Sequence, residues 1–384
     1  MRKRLLLLLA IVVSFSLVAA ACGDDDSTST TGDESSQPAE EGGGDQQATD
    51  DQPEPDQGEE AGGEEAGGEE MAGTDVTVGL VFDIGGRGDQ SFNDAAAAGI
   101  ERAKEELGIE FTEASPNEDG SNRAELLQAQ ADENDLVIGV GFLFADSMAE
   151  VAANNPDTHF AIVDGAVEAD NVASLVFAEE QGSFLVGAAA ALKSETGKVG
   201  FIGGVNIELI QKFEAGYRAG VAAVDPSIEV VSQYITEPPD FDGFNAPDRA
   251  KEIAAQMYAE GADIVYHAAG GSGAGLFQAA KEYSEANGTK VWAIGVDSDQ
   301  YKTAGEDVRD YILTSMLKRV DVAVFETVKA EVEGRFEPGF QVFDLSVDGV
   351  GYSTSGGFVD DITDQLENFK QQIVNGDIVV PTTP

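Results

Sequence analysis

The sequence predicts an α/β protein built as two doubly wound, parallel-sheet lobes joined by a three-segment hinge. Three observations carry that expectation. Short Val- and Ile-rich runs alternate with amphipathic helical stretches, the pattern of parallel sheets covered on both faces. About ten such runs fall within residues 75–384, which suits two sheets better than one. Small and acidic residues recur where the runs end, at Asp83, Gly141, Gly203, Gly270 and Asp297, and doubly wound folds bind ligands off those ends.

The chain opens on a different kind of segment. Arg2, Lys3 and Arg4 precede an apolar run over 5–18, followed by Ala19, Ala20, Ala21 and Cys22. Residues 1–22 read as a secretory signal whose apolar core is too short for a membrane span. Cys22 is the only cysteine, so no intrachain disulfide is possible. Its position resembles a bacterial lipobox, with Ala19 where Leu is usual, and a lipid on Cys22 is expected. The plainer alternative is secretion with an incidental thiol.

Residues 23–74 hold 18 acidic side chains and no basic one, with "GEEAGGEEAGGEE" repeating every five residues. Nothing there can bury a core, so the stretch reads as a disordered, self-repelling tether. The whole chain carries a net charge of −50, which repels nucleic acid and anionic lipid and argues against a nucleic-acid binder. With the tether's acids and the leader's three bases set aside, 54 acids still face 19 bases. The folded part is therefore strongly acidic in its own right.

In the folded part "VTVGLVF" reads as a buried strand and "SFNDAAAAGIERAKEEL" as the helix after it. "LVIGVG" leads to a helix over 145–154 and then to "HFAIVDG"; "ASLVF" leads to the helix "GSFLVGAAAALK". "KVGFIGG" precedes a helix ending near Val224, and "IEVVSQYI", "DIVYHAAG" and "KVWAIGV" are further strands. "YILTSMLKRVDVAVFETVKAEVEG" reads as strand and helix, "FQVFDLSVDGVGY" as extended chain, and 361–375 as a last helix. The expected lobes are 75–180 with 298–334, and 181–297 with 335–384. Hinge crossings are expected near 177–181, 298–311 and 334–339.

The loop "DIGGRGDQSFND" looks like a phosphate cradle but lacks its parts. Gly86-Arg87-Gly88-Asp89-Gln90-Ser91 closes on Ser91 where the dinucleotide fingerprint needs Gly or Ala, and no G-K-[ST] occurs. Asp89 would set a carboxylate beside any phosphate, so a phosphorylated ligand is disfavoured. Phe92 and Asn93 stand at the helix start. They suit stacking on a planar ring and hydrogen bonding to its edge, or equally a core anchor and a helix cap.

The ordered set "DIGGRGDQSFND", "VGFLFADSM", "FAEEQGSFLVG", "FEAGYRAGV", "YHAAGGSGAGLFQAAKE", "GVDSDQ" and "LTSMLKRVD" resembles the basic membrane protein family of solute-binding lipoproteins. That family includes the purine nucleoside receptors, and the resemblance spans residues 76–376. It implies the type I periplasmic-binding-protein fold and delivery of ligand to the permease and ATPase subunits of an ABC importer. It also implies no chemistry and no cofactor, in a monomer held on the extracytoplasmic face of the cell membrane. It further implies a site. Phe92 and Phe213 would sandwich a base, and Asn93 and Asp146 would bond its edge. Asp83, Asp297 and Lys318 would hold ribose hydroxyls, and Gly270 and Gly271 would admit backbone close to the ligand. The loop departs from the family where Asp89-Gln90 replaces a common Lys before "SFN". The Pro- and Asp-rich stretch "TEPPDFDGFNAPD" receives no role.

Two other classes compete. A nucleoside hydrolase would also grip ribose with aspartates, but its metal motif is absent after the first strand, and Asp297-Ser298-Asp299 lacks a metal-loop continuation. The two histidines, His159 and His267, lie on strands, and no Ser-His-Asp order, nucleophilic Cys or zinc spacing occurs. A ligand-presenting sensory lipoprotein, or a binder of another ring-bearing solute, would share the same fold and cleft.

Overall fold

A computed structural model describes residues 74–384. The expected signal 1–22, Cys22 and all of the tether but Thr74 lie outside the described residues. Six strands form the first sheet: β1 Thr77–Val81, β2 Glu110–Ala114, β3 Leu136–Val140, β4 His159–Val163, β5 Val172–Phe177 and, much later in the chain, β11 Gly339–Phe343. Their order is β11-β5-β4-β3-β1-β2 and every pairing is parallel. The second sheet contains β6 Lys198–Val205, β7 Glu229–Thr236, β8 Ile264–Ala268, β9 Trp292–Asp297, β10 Ile312–Lys318 and β12 Val350–Tyr352. It runs β12-β10-β9-β8-β6-β7, with β12 alone antiparallel.

Ten helices connect and cover the strands: α1 Phe92–Leu107, α2 Arg123–Ala131, α3 Ala145–Asn154, α4 Glu179–Lys193, α5 Glu208–Val224, α6 Pro247–Ala259, α7 Gly273–Asn287, the short α8 Gln300–Thr303, α9 Val320–Val332 and α10 Thr363–Val374. The central strands are largely apolar because both faces are covered; β3 and β8 are buried at every residue, although β8 carries His267 and β9 ends in Asp297.

The expected lobes need correction in their later segments. β10 lies within 298–334, yet it pairs with β9 in the second sheet. β11 lies within 335–384, yet it pairs with β5 in the first. Only α9 returns from β10 to the first lobe, where Val320, Val324 and Val328 join the core beneath α1. The second and third crossings are therefore 318–320 and 343–350, not 298–311 and 334–339; the first, after β5, falls where it was expected. Sheet membership of late strands rests on pairings far apart in sequence, which local periodicity does not encode. The edge strand β2 was not anticipated either. Its "EFTEA" is largely exposed and carries no apolar alternation.

Helices α4 and α5 pack backbone against backbone. A Cβ at Gly220 would stand 2.0 Å from the Phe184 carbonyl oxygen, and one at Gly216 2.1 Å from that of Glu180. No side chain fits between backbones this close. We predict that Gly220→Ala lowers stability by about 1–3 kcal/mol through overpacking, although alanine favours an isolated helix by about 1 kcal/mol. Urea unfolding checks this: a midpoint at or above that of the parent would contradict the close approach.

Candidate ligand site

The carboxyl ends of both sheets face one narrow cavity, with free space of about 70 Å³ between its walls. The first lobe contributes Asp83, Asp89, Phe92, Asn93, Phe142 and Asp164. The second contributes Phe213, Phe244, Gly270, Gly271, Asp297 and Lys318.

The glycine loop answers the phosphate question directly. The Asp89 carboxylate accepts the backbone N–H groups of Ser91 at 2.9 Å, Asn93 at 2.8 Å and Asp94 at 3.0 Å. The donors that would cradle an anion at the N-terminus of α1 are thus filled by the chain's own carboxylate. The Asp94 carboxylate accepts Gly88 N–H at 2.7 Å and Gln90 N–H at 2.9 Å, closing the turn from the other side.

Asn93 is brought to the cavity wall, but its amide is already engaged. Its Oδ1 accepts Asp83 N–H at 3.0 Å, and its Nδ2 donates to the Ile84 carbonyl at 3.2 Å and to Asp89 at 3.1 Å. In this conformation it braces the strand end and does not offer its donors to a ring edge. Asp146 is not brought to the site. It is exposed in the first turn of α3, where its charge complements the helix dipole.

The acid that sequence reasoning missed is Asp164, directly after β4. "HFAIVD" ends as "WAIGVD" does, and this shared ending was the available signal. Asp164 and Asp297 also share a left-handed backbone, with φ of 60° and 62°. That conformation is strained for an aspartate and marks both strand ends as special.

Lys318, 2% exposed, ends β10 and forms an ion pair across the cleft with Asp164. Its Nζ lies 4.6 Å from the ring centre of Phe92 on the first lobe and 5.8 Å from that of Phe213 on the second. The two rings of the expected sandwich therefore come from opposite lobes and flank one ammonium. Asp164 Oδ1 is buried without a hydrogen-bond partner, an acceptor free for a ligand. At another part of the wall Phe142 meets Phe241 at 5.9 Å and Phe244 at 6.4 Å, edge to face or tilted. The 238–248 stretch, given no role above, thus supplies an aromatic wall.

Burial dominates the electrostatics. It lifts the Asp83 and Asp297 carboxyls to about 6, against the pull of Arg123 on the first and Lys318 on the second. Burial, reinforced by Asp164, lifts Glu179 to about 7. Burial would lower the Lys318 ammonium, but Asp164, Asp297 and Glu179 together raise it instead. Asp83 also needs Gly141, because a Cβ there would stand 2.1 Å from its Oδ2.

The family description "ABC transporter substrate-binding protein PnrA-like" (Bmp) matches residues 76–384. The chain is 37% identical over 332 residues to the CD4+ T-cell-stimulating antigen of Listeria monocytogenes, covering 81% of this chain and 89% of that one. It is 34% identical to the ABC transporter nucleoside-binding protein BmpA of Lactococcus lactis, covering 80% and 90% respectively. Among solved structures, an ABC transporter solute-binding protein of Aeropyrum pernix superposes with a TM-score of 0.70 at 32% identity, over 80% of this chain and 94% of that one.

The raised carboxyls set a pH trend. An acid whose folded pKa exceeds its unfolded value binds its proton more tightly when folded, so stability falls as pH rises through the window between the two. For Asp297 that window runs from about 4 to about 6. Asp297→Asn should therefore stabilise the ligand-free protein at pH 8 by up to about 3 kcal/mol and leave stability at pH 4 unchanged. Denaturant midpoints at the two pH values test this, and a loss of stability at pH 8 would contradict the assigned cost of burial.

Proposed function

Since the chain belongs to the Bmp family of PnrA-like ABC transporter substrate-binding proteins, we propose that it captures a nucleoside, with a purine as the preferred base. In this reading the protein is a monomer anchored by lipid on Cys22 and delivers the ligand to its permease on the extracytoplasmic face. The family binds solutes for transport and is non-catalytic, and its type I fold is the two-lobed architecture described above.

One observation carries the nucleoside reading: aromatic rings from opposite lobes line a cavity whose polar lining includes three strand-end carboxylates and one lysine. In this reading a purine stacks on Phe92 and Phe213, where stacking contributes roughly 1–3 kcal/mol per base. Asp83, Asp164 and Asp297 are acceptors for sugar hydroxyls, since one ionised carboxylate takes two O–H donors. Lys318 donates to the sugar and offsets these acids. Asp164 takes the place that Asp146 held in the sequence expectation. The acid lining and the filled helix N-terminus disfavour a phosphorylated ligand. Ligand shifts the lobes toward closure only by its extra affinity for the closed form.

Calorimetric titration of the full chain in detergent, with adenosine, guanosine, inosine, cytidine, uridine, ribose and adenosine monophosphate, tests the reading. We expect heat with at least one purine nucleoside and far weaker binding of the monophosphate. Phe92→Ala and Phe213→Ala should each lose roughly 1–3 kcal/mol. No heat with any nucleoside, using folded protein freed of co-purified ligand, would overturn the assignment while leaving the family and fold intact.

A further inference from the structure

Apart from the Lys318–Asp164 pair, a group of hydrogen bonds crosses the cleft beside the ligand cavity. Gln90 and Ser91, in the first-lobe loop between β1 and α1, present their backbone carbonyls to the second lobe. Gln300 Nε2 donates to the Gln90 carbonyl at 3.0 Å, and Thr303 Oγ1 donates to the same oxygen at 3.1 Å. Ser298 Oγ donates to the Ser91 carbonyl at 3.1 Å. Ser91 Oγ answers in the other direction, donating to Asp297 Oδ2 at 2.5 Å.

Both sides are preset for this contact. In the first lobe, the N–H groups of Gln90 and Ser91 are taken by Asp94 and Asp89. Gln90 sits at φ 56°, a left-handed conformation in which its carbonyl reaches the opposite lobe. In the second lobe, Gln300 is 1% exposed and its backbone N–H bonds Ser315 Oγ at 3.1 Å. Its Oε1 accepts Val296 N–H at 2.8 Å and faces His267 Nε2 at 3.0 Å. An oxygen held by a backbone N–H must belong to the carbonyl end of the amide, which fixes the amide's orientation. Buried His267 therefore carries its proton on Nε2, and the Gln300 nitrogen has only Gln90 to serve.

We propose that Gln300, Ser298 and Thr303 form a closed-state latch: positioning residues that hold the lobes shut and slow ligand release without touching the ligand. The inference about release rests on the capture reading, but the latch itself does not. Because its partners are all protein groups, it also keeps a fraction of the protein closed when no ligand is bound. Asp297 joins the latch to the site, since Ser91 occupies one of its oxygens and leaves the other for the ligand.

The test uses the full chain with Cys22→Ser and spin labels at Glu125→Cys and Glu285→Cys, exposed positions on α2 and α7 of opposite lobes. Ligand-free protein should show a short interlobe distance population, and Ser298→Ala with Thr303→Val should move it to longer distances without changing the melting temperature. Gln300→Glu keeps the oxygen that Val296 and His267 require but has no N–H to give Gln90, and it should lengthen the distance in the same way. If Gln300→Glu fails to fold, the exposed-side double variant decides alone. With adenosine as probe, the double variant should dissociate about tenfold faster, the effect of two lost hydrogen bonds, with its association rate little changed. Only long distances in the ligand-free parent, or a distribution that the double variant leaves unmoved, would overturn the latch. Absence of adenosine binding would count against the nucleoside reading and leave the distance measurement to judge the latch.

Discussion

The cleft depends on one buried cation. Lys318 leaves the end of β10 in the second sheet and pairs with Asp164 at the end of β4 in the first. Around it stand Asp297 and Glu179, both almost without solvent. Removing several carboxylates from water costs more than any one hydrogen bond returns, so such a cluster needs a compensating charge inside it. Lys318 meets that need where acids from both lobes share it. The carbonyl and amide groups that hold the strand ends in register then fix where the acids point.

The same acids bear on which ligands suit the cleft. The folded part carries a large acid excess, and its cavity adds further carboxylates. A glycine turn opening a helix would ordinarily be an anion site. Here Asp89 fills those donors from within the chain, so the turn's glycines provide shape and no charge recognition. In the proposed reading, two rings beside a lysine and paired acids suit a flat, uncharged ring bearing hydroxyl groups better than a phosphate.

Much of this is legible in the amino-acid sequence. The alternation of apolar strands with helices shows in the central strands, because a strand buried on both faces is largely apolar. Phe92, Asp83, Asp297, Lys318, Gly270 and Gly271 reach one cavity because each sits at or just beyond the end of an element whose period is readable, and Phe213 reaches it from the second turn of α5. What stayed hidden follows from non-local pairing. β2 lies at an edge, with a sequence that reads as surface. The later crossings depend on which sheet β10 and β11 join. Asp146 and Asp164 are both aspartates near strand ends, but Asp146 is separated from β3 by a full 3-10 turn, Phe142–Phe144, which carries it to the exposed start of α3. Asp164 follows β4 directly and so remains in the cleft.

Closure sets the last constraint. A binding protein that must release its ligand cannot join its lobes by a large apolar seam, because burying such a surface would outweigh any ligand's differential affinity. At this seam, hydroxyl and amide donors meet loop carbonyls, groups that water can satisfy equally well when the lobes part. Each such bond contributes only about 0.5–1.5 kcal/mol net, so opening and closing remain within reach of one small molecule's binding energy. The apolar cores lie within the lobes or along the crossing segments, where Phe177 stacks on Phe343 at 5.2 Å. The fold thus separates two tasks: apolar packing fixes the shape of each lobe, and exchangeable hydrogen bonds set the balance between them.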